Sequence, residues 1–393
     1  MHKQAKLPRS KATKTLVRAK SLPQKYFASP EIFADEQQRI FAKEWLFVGH
    51  QSQIPKAGDY IAQQVNRESF IIVRDKSGKI HGFFNVCRHR GSRLIENDGG
   101  NCGAIQCPYH SWTYGLDGRL IGAPHMDEVP GFEKADYPLH PVKLALWDGF
   151  IFVNLEKNPM RLEKWFAPLK GKFSHWNMSI LRQAKRIEYD VHANWKLMFE
   201  NYSECYHCPG VHPQLQKVSP YDSAENDLRA GPFLGGFMKI NPGKSLTISG
   251  NACAAFVGKI ENLQQVFYYS IFPNMLLSLH PEYVMVHQLW PQSPERTLII
   301  CDWLFHPNAF TRKDFNPQDA IEFWDMTNKQ DWHVCELSQQ GISSRAYVPG
   351  PFSSRESIPA AWDDWYLRSL ERKTASQKIE DRSWKPPVTA YRH

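Results

Sequence analysis

Two short groups carry the first recognisable chemistry: Cys87-Arg88-His89 and, 17 residues further on, Cys107-Pro108-Tyr109-His110. Each sets a thiolate beside an imidazole, and a tight turn in each lets both point into one site. Two Cys and two His suit a structural zinc, or a [2Fe–2S] cluster with both Cys on one iron and both His on the other. Zinc fingers run Cys-Cys, then His-His, whereas here Cys and His alternate within each half, which favours the two-iron cluster.

A second dense stretch runs Glu200-Asn201-Tyr202-Ser203-Glu204-Cys205-Tyr206-His207-Cys208-Pro209-Gly210-Val211-His212-Pro213. On an unbroken helix, His207 and His212 would point about 140° apart. Pro209 and Gly210 break the helix between them, and the kink can return His212 to a shared metal. Two His plus one carboxylate, with positions left open, is the ligand set of non-haem Fe(II) oxygen chemistry. Glu204, Asp302, Asp325, Asp331 and Glu336 are the candidate carboxylates. Cys205 and Cys208 have competent donors, but thiolates flanking His suit zinc or copper, and a core role is expected for them.

The elements that must position these groups fall into an α+β pattern. Ser29-Pro30-Glu31 reads as an N-cap, a Pro at N1 and first-turn acid, opening a helix to about Lys43. Short β runs follow at Tyr60–Val65, Phe70–Arg74, Ile80–Val86 and Phe150–Leu155, with turns at Asp75-Lys76-Ser77-Gly78 and Leu116-Asp117-Gly118-Arg119. Residues 156–190 read as a connection. Asn194–Tyr206 has helical spacing and is expected to stop at Pro209-Gly210. Strands are expected at Lys244–Ser249, Gln265–Ile271, Met275–Leu279, Tyr283–Trp290 and Thr297–Phe305, then helices over Pro317–Gln340 and Glu356–Leu370.

With both motifs in hand, the chain resembles the oxygenase (α) subunits of Rieske non-haem iron oxygenases from about residue 35 to about 370. The resemblance implies a [2Fe–2S] cluster on Cys87, His89, Cys107 and His110, and a mononuclear Fe(II) on His207, His212 and Asp331. It also implies catalytic-site roles for Asn201 and Glu204. Glu204 maps to the acidic bridge through which one subunit's cluster feeds its neighbour's iron; many family members have Asp there. The implied architecture is a basic arm (1–28), an all-β Rieske domain (40–155) inserted near the start, and a helix-grip-like catalytic domain of antiparallel sheet plus helices (156–393 with 29–39). Respiratory Rieske proteins carry an extra cysteine in each motif; this chain does not, so less bracing of the sulfurs and a lower potential are expected.

Residues 204–213, with Gly341-Ile342-Ser343-Ser344-Arg345, Pro349-Gly350-Pro351 and Glu356, resemble the branch acting on glycine betaine and choline. That implies hydroxylation of a carbon beside a quaternary ammonium or N-methyl nitrogen, ending in N-demethylation when the carbon is a methyl. The implied partners are O2, a separate NAD(P)H-dependent ferredoxin-type reductase and further copies of the chain in a homotrimer. A cationic head wants aromatic faces, and Phe267, Tyr268, Tyr269, Phe272, Tyr283, Trp290 and Trp303 are the candidates. An aromatic-ring dioxygenase α subunit and a Rieske electron carrier are the alternatives; a carrier has no use for His207, His212 and Asp331.

Bulk composition agrees. The net charge of +8 comes from 48 Lys+Arg against 40 Asp+Glu. Lys3, Lys6, Arg9, Lys11, Lys14, Arg18, Lys20 and Lys25 account for all of that excess, leaving a balanced body that argues against nucleic-acid binding. No apolar run approaches the roughly 18 residues of a membrane span. Eight cysteines in 393 residues do not make a disulfide scaffold, so a reducing, cytoplasmic setting is expected. The acid-free arm also has the composition of an organelle transit segment.

Overall fold

The computed structural model describes residues 19–255 and 264–371. Most of the expected arm therefore lies outside the described residues. Its final part, 19–28, is packed onto the body. Ser21 N–H donates to Gly350 O at 3.0 Å, Phe352 N–H to Ala19 O at 3.0 Å, and the Gln24 amide to Ile342 O at 2.6 Å. Leu22 and Phe27 are buried.

Ser29 caps the next helix as expected, its hydroxyl accepting from Ile32 N–H at 3.2 Å. The α-helix spans Pro30–Glu36 and then widens into a π-turn at Gln37–Phe41 instead of running on to Lys43.

Ten strands follow: β1 (Leu46–His50), β2 (Asp59–Val65), β3 (Glu68–Arg74), β4 (Ile80–Phe84), β5 (Gly99–Asn101), β6 (Ile105–Gln106), β7 (Thr113–Tyr114), β8 (Leu120–Gly122), β9 (Lys143–Trp147) and β10 (Phe150–Asn154). They form sheets of order β4-β3-β2-β5, β6-β7-β8 and β1-β10-β9. β4 stops two residues earlier than expected. The Asn85 side chain accepts from Leu94 N–H at 3.0 Å and Ile95 N–H at 2.9 Å, drawing the chain out of the sheet and into the Cys87 loop. At the β7–β8 turn, Gly118 has φ +84, and a Cβ there would lie 2.4 Å from the Phe83 ring.

The rest of the chain builds one seven-stranded antiparallel sheet from β11 (Arg182–Val191), β12 (Glu225–Arg229), β13 (Phe233–Lys239), β14 (Gln265–Ile271), β15 (Met275–Leu279), β16 (Tyr283–Ser293) and β17 (Arg296–Phe305). Its order is β11-β17-β16-β15-β14-β13-β12. β11 corrects the expected connection over 156–190. It is an edge strand, and its Lys, Arg and Glu residues disguise a β pattern that an edge tolerates. β12 and β13 were also unforeseen, because Gly235 and Gly236 dilute the β signal. Lys244–Ser249 is not a strand: Ser245 N–H bonds Gly250 O, and the Thr247 hydroxyl bonds Asn251 O, so its polar groups are met within turns.

Three helices pack on this sheet: Trp195–Tyr202, Pro317–Ile342 and Ser357–Glu371. A buried ion pair ties the first to the N-terminal segment. Lys196 Nζ lies 2.6 Å from Glu36 Oε1, and both side chains are fully buried. Trp195 Nε1 and the Tyr366 hydroxyl donate to the same carboxylate at 2.8 and 2.6 Å, so one acid joins three helices.

The first of these helices ends at Tyr202, not Tyr206. The Glu204 carboxylate accepts from the backbone N–H groups of Tyr206 and His207 and so starts a new turn. Pro209 and Gly210 sit inside the one-turn helix Cys208–Val211, and His212 is the joint before Pro213–Val218. The two histidines are brought together by short helices in series, not by one kinked helix.

Candidate functional site

Cys87 and Cys107 occupy matching loops. Cys87 N–H donates to Ser92 O and Cys107 N–H to Trp112 O, each at 2.8 Å, while Gly91 N–H and Ser111 N–H return to the two Cys carbonyls at 3.1 Å. Both thiols are buried and interact with one another, whereas His89 is exposed and His110 half-buried. The imidazole centroids lie 4.7 Å apart, and His89 stacks on Trp112 at 4.9 Å. His110 Nδ1 is buried with no hydrogen-bond partner among the described residues. Paired thiols below and paired imidazoles above, one with an unused nitrogen, fit a cluster with both thiolates on one iron and both imidazoles on the other. The sequence missed Tyr114, whose hydroxyl is 3.4 Å from Cys87 Sγ and 3.0 Å from Arg88 N. Burial and then the Cys87 thiol push the phenol's pKa up, so it remains a donor. The sulfurs are therefore better braced than the missing disulfide suggested.

The second group converges tightly. Ligand-type atoms of His207, His212 and Asp331 all lie within 4.8 Å of one another. His212 Nε2 is 2.8 Å and His207 Nε2 3.3 Å from Asp331 Oδ1, and the two Nε2 atoms are 3.2 Å apart. The outer nitrogens are occupied: His207 Nδ1 meets Glu204 Oε1 at 2.6 Å, and His212 Nδ1 meets Gln330 Oε1 at 2.8 Å. Each acceptor fixes the proton on Nδ1 and turns the Nε2 lone pair inward, which is how outer partners orient metal-binding histidines. Gln330 was missed, although it adjoins Asp331 in sequence.

Burial works against a charged His207, but the Asp331 and Glu204 carboxylates outweigh it and raise its pKa to about 10. Burial likewise disfavours ionised Asp331, and the two histidines outweigh it, holding the carboxyl at about 2. A half-buried carboxylate with two converging imidazoles is a donor set that fits a divalent iron.

The other candidate carboxylates are engaged elsewhere. Asp302 is gripped by Arg186 through two 2.8 Å bonds. Asp325 accepts from the Tyr189 hydroxyl and Lys329, and Glu336 from His192 N–H.

A cleft of about 520 Å³, counting its open mouth, lies against the three ligand-type residues. One wall is the Pro317–Ile342 helix, which contributes Trp324, Thr327, Asn328, Asp331 and Trp332, spaced as one helical face. The sheet supplies Met238 from β13, Tyr268 from β14, and Met285 and His287 from β16; Asn201, Tyr202, Cys205 and Cys208 close the rim. The Asn201 side chain lines the cleft without bonding the three central residues.

Of the aromatic candidates only Tyr268 reaches the cleft. Tyr269 bonds Asp227, Tyr283 bonds Leu246 O, Phe272 packs against Trp195 and Trp362, Phe267 against Trp176 and Phe237, and Trp290 and Trp303 are buried in the core. Tyr202, Trp324 and Trp332 are the other aromatic residues lining it. Their signal was legible as the helical spacing around Asp331.

The fold and the two centres define a class. The family model "Rieske [2Fe-2S] domain" matches residues 44–133, and "Ring hydroxylating alpha subunit (catalytic domain)" matches 178–372. The glycine betaine monooxygenase oxygenase subunit of Pseudomonas aeruginosa is 32% identical, covering 92% of this chain and 93% of that one. The chain belongs to the Rieske non-haem iron oxygenases, as an oxygenase subunit carrying a [2Fe–2S] cluster and a mononuclear iron. The carnitine monooxygenase oxygenase subunit of Escherichia coli is 30% identical over 83% of this chain and 85% of that one. A solved quaternary ammonium Rieske monooxygenase superposes with TM-score 0.78 at 26% identity, covering 94% of this chain and all of the other.

Proposed function

We propose that the protein is the terminal oxygenase of a two-component system that hydroxylates a carbon beside a quaternary ammonium nitrogen, releasing formaldehyde when that carbon is an N-methyl. The observation that carries this is the aromatic cleft set against His207, His212 and Asp331. Tyr202, Tyr268, Trp324 and Trp332 offer faces that attract a cation, and relatives named for betaine and carnitine oxidation support the same reading.

In this proposal Cys87, His89, Cys107 and His110 hold the cluster, and His207, His212 and Asp331 hold the iron. When bound, the iron supplies O2 activation, with electrons arriving one at a time from the cluster. Glu204 and Gln330 orient the two imidazoles, and Asn201 lines the approach. The proposed domain division keeps the Rieske part at 40–155 and the catalytic part at 156–393 with 29–39. A separate reductase and a head-to-tail homotrimer complete it. The groove lined by Glu200, Glu204, His207, Val211 and Glu356 is the face offered to a neighbour's Rieske domain.

The test is O2 uptake with a ferredoxin-type reductase across glycine betaine, carnitine, choline and aromatic acids, with formaldehyde assayed. Formaldehyde formed in step with O2 on a quaternary ammonium supports the proposal; ring hydroxylation without formaldehyde overturns it. A second measurement isolates Glu204. Glu204→Gln keeps an acceptor for the His207 N–H but loses the charge. It is expected to retain the Rieske absorption while slowing single-turnover reoxidation of the cluster about 10- to 100-fold. Reoxidation at the unaltered rate would remove Glu204 from the electron path.

A further inference from the structure

Cys205 and Cys208 line the cleft without belonging to either proposed metal set. Cys208 takes the core place expected of it, whereas Cys205 is half-exposed. Two other cysteines outside the Rieske loops are settled in the core: Cys335 donates to Leu197 O at 3.7 Å, and Cys301 accepts from the Asn328 amide at 3.8 Å. Cys205 and Cys208 differ because the chain turns them towards one another.

Cys208 N–H bonds Cys205 O at 3.3 Å across Cys205-Tyr206-His207-Cys208. A four-residue turn of this kind brings its end Cα atoms within about 7 Å, and disulfides span Cα separations of about 4.4–6.8 Å. Cys205, and then burial, push the Cys208 thiol up, which places the two thiols in contact. Both are free. Cys205 Sγ also lies 3.1 Å from Met238 Sδ, another residue of the cleft lining. His207 sits inside this turn, and Glu204, which meets His207 Nδ1 at 2.6 Å, immediately precedes it. An S–S bond is only about 2.05 Å long. Forming one draws the ends of the turn together and moves the backbone of His207 between them.

We propose that Cys205 and Cys208 are a peroxide-responsive dithiol: hydrogen peroxide closes them to a disulfide, which displaces His207 from His212 and Asp331 and halts the oxygenase until a thiol reductant reopens it. Cys205, the half-exposed sulfur, attacks one peroxide oxygen; the O–O bond breaks, one water leaves, and Cys205 becomes a sulfenic acid. Cys208 then displaces the sulfenic hydroxyl, which leaves as a second water. Two S–H bonds are lost and one S–S bond is gained, with two protons and two electrons passing to the peroxide. Hydrogen peroxide forms whenever O2 takes up two electrons and two protons without attack on a C–H bond, so its source and its sensor share one cavity. The inference rests on the oxygenase class and not on which substrate is turned over.

The test treats the anaerobic, full-length holoenzyme with diamide, which removes two hydrogens from a thiol pair and adds no oxygen. Free thiols are then alkylated and the peptides weighed. The peptide holding residues 205 and 208 is expected to be unalkylated at both cysteines and lighter by two hydrogens. O2 uptake is expected to fall about 10- to 100-fold, as when a metal ligand loses its outer partner, with the Rieske absorption unchanged and activity restored by dithiothreitol. Hydrogen peroxide in place of diamide is expected to give the same peptide. Cys205→Ser and Cys208→Ser are each expected to keep their own starting activity under diamide; if one fails to fold, the other carries this arm, and the peptide mass of the unaltered protein stands without either. Activity lost while both thiols remain alkylatable overturns the switch, as does a disulfide formed without loss of activity. Serine variants inactivated as fast as the unaltered protein also overturn it. So does peroxide that leaves sulfinic acid at Cys205 or sulfoxide at Met238 in place of the disulfide.

Discussion

Replacing Asp331 by alanine is expected to abolish turnover while leaving the visible spectrum of the Rieske cluster intact. Asp331 supplies the only carboxylate among the described residues that lies within reach of both His207 Nε2 and His212 Nε2. Two imidazoles alone are a poor site for a hard divalent iron, which prefers oxygen donors. Chain iron should fall from about three to about two, the two belonging to the cluster. Activity should drop by more than the 10- to 100-fold that loss of an outer partner costs. Iron analysis and O2 uptake on the same preparation check both. A variant that keeps its third iron and normal activity would remove Asp331 from the proposed ligand set. The protein without its mononuclear iron has a further signature: His207 is held protonated by Asp331 and Glu204, so removing Asp331 lowers its pKa.

The largest stability effect is expected at Glu36. Glu36→Ala leaves Lys196 buried without its partner and strands the Trp195 and Tyr366 donors. Breaking a buried pair from one side costs about 3–5 kcal/mol. Glu36→Leu combined with Lys196→Met removes both charges at similar volume and is expected to recover much of the loss. Urea unfolding followed by tryptophan fluorescence measures both. A Glu36→Ala change within about 0.5 kcal/mol, as for a surface substitution, would mean that the pair is not a structural pin.

The proposed cluster motif could be picked out in the sequence because each half is local: turns set Cys87 beside His89, and Cys107 beside His110. The sequence also carried the long strands β14 to β17 and the two late helices, where the apolar period is strong. It concealed β11, whose charges suit an edge, and β12 and β13, where glycines dilute the pattern. It placed one helix over 194–206 because helical periodicity does not register a carboxylate capping a new turn, which is what Glu204 does. Gln330 and Tyr114 were invisible for another reason: each acts on a residue that only the fold brings near. The cleft aromatics were sought on the sheet when three of the four lie on helices. The seven-residue step from Trp324 to Asp331 was the available clue.

The Pro317–Ile342 helix carries Asp331, the Gln330 amide that steadies His212, and the indoles of Trp324 and Trp332. The proposed ligand, its brace and a cleft wall thus share one rod and move as a single body. If the proposed ligand set holds, reshaping the cleft from this side shifts the carboxylate as well, and substrate range and iron geometry are expected to change together there. Met285, on the opposite sheet, belongs to a different element from the proposed ligands, and methionine tolerates replacement, whereas Met238 meets the Cys205 thiol at 3.1 Å in the turn between Glu204 and His207. A lineage acquiring new substrates on this scaffold is expected to change Met285 first and the helix last.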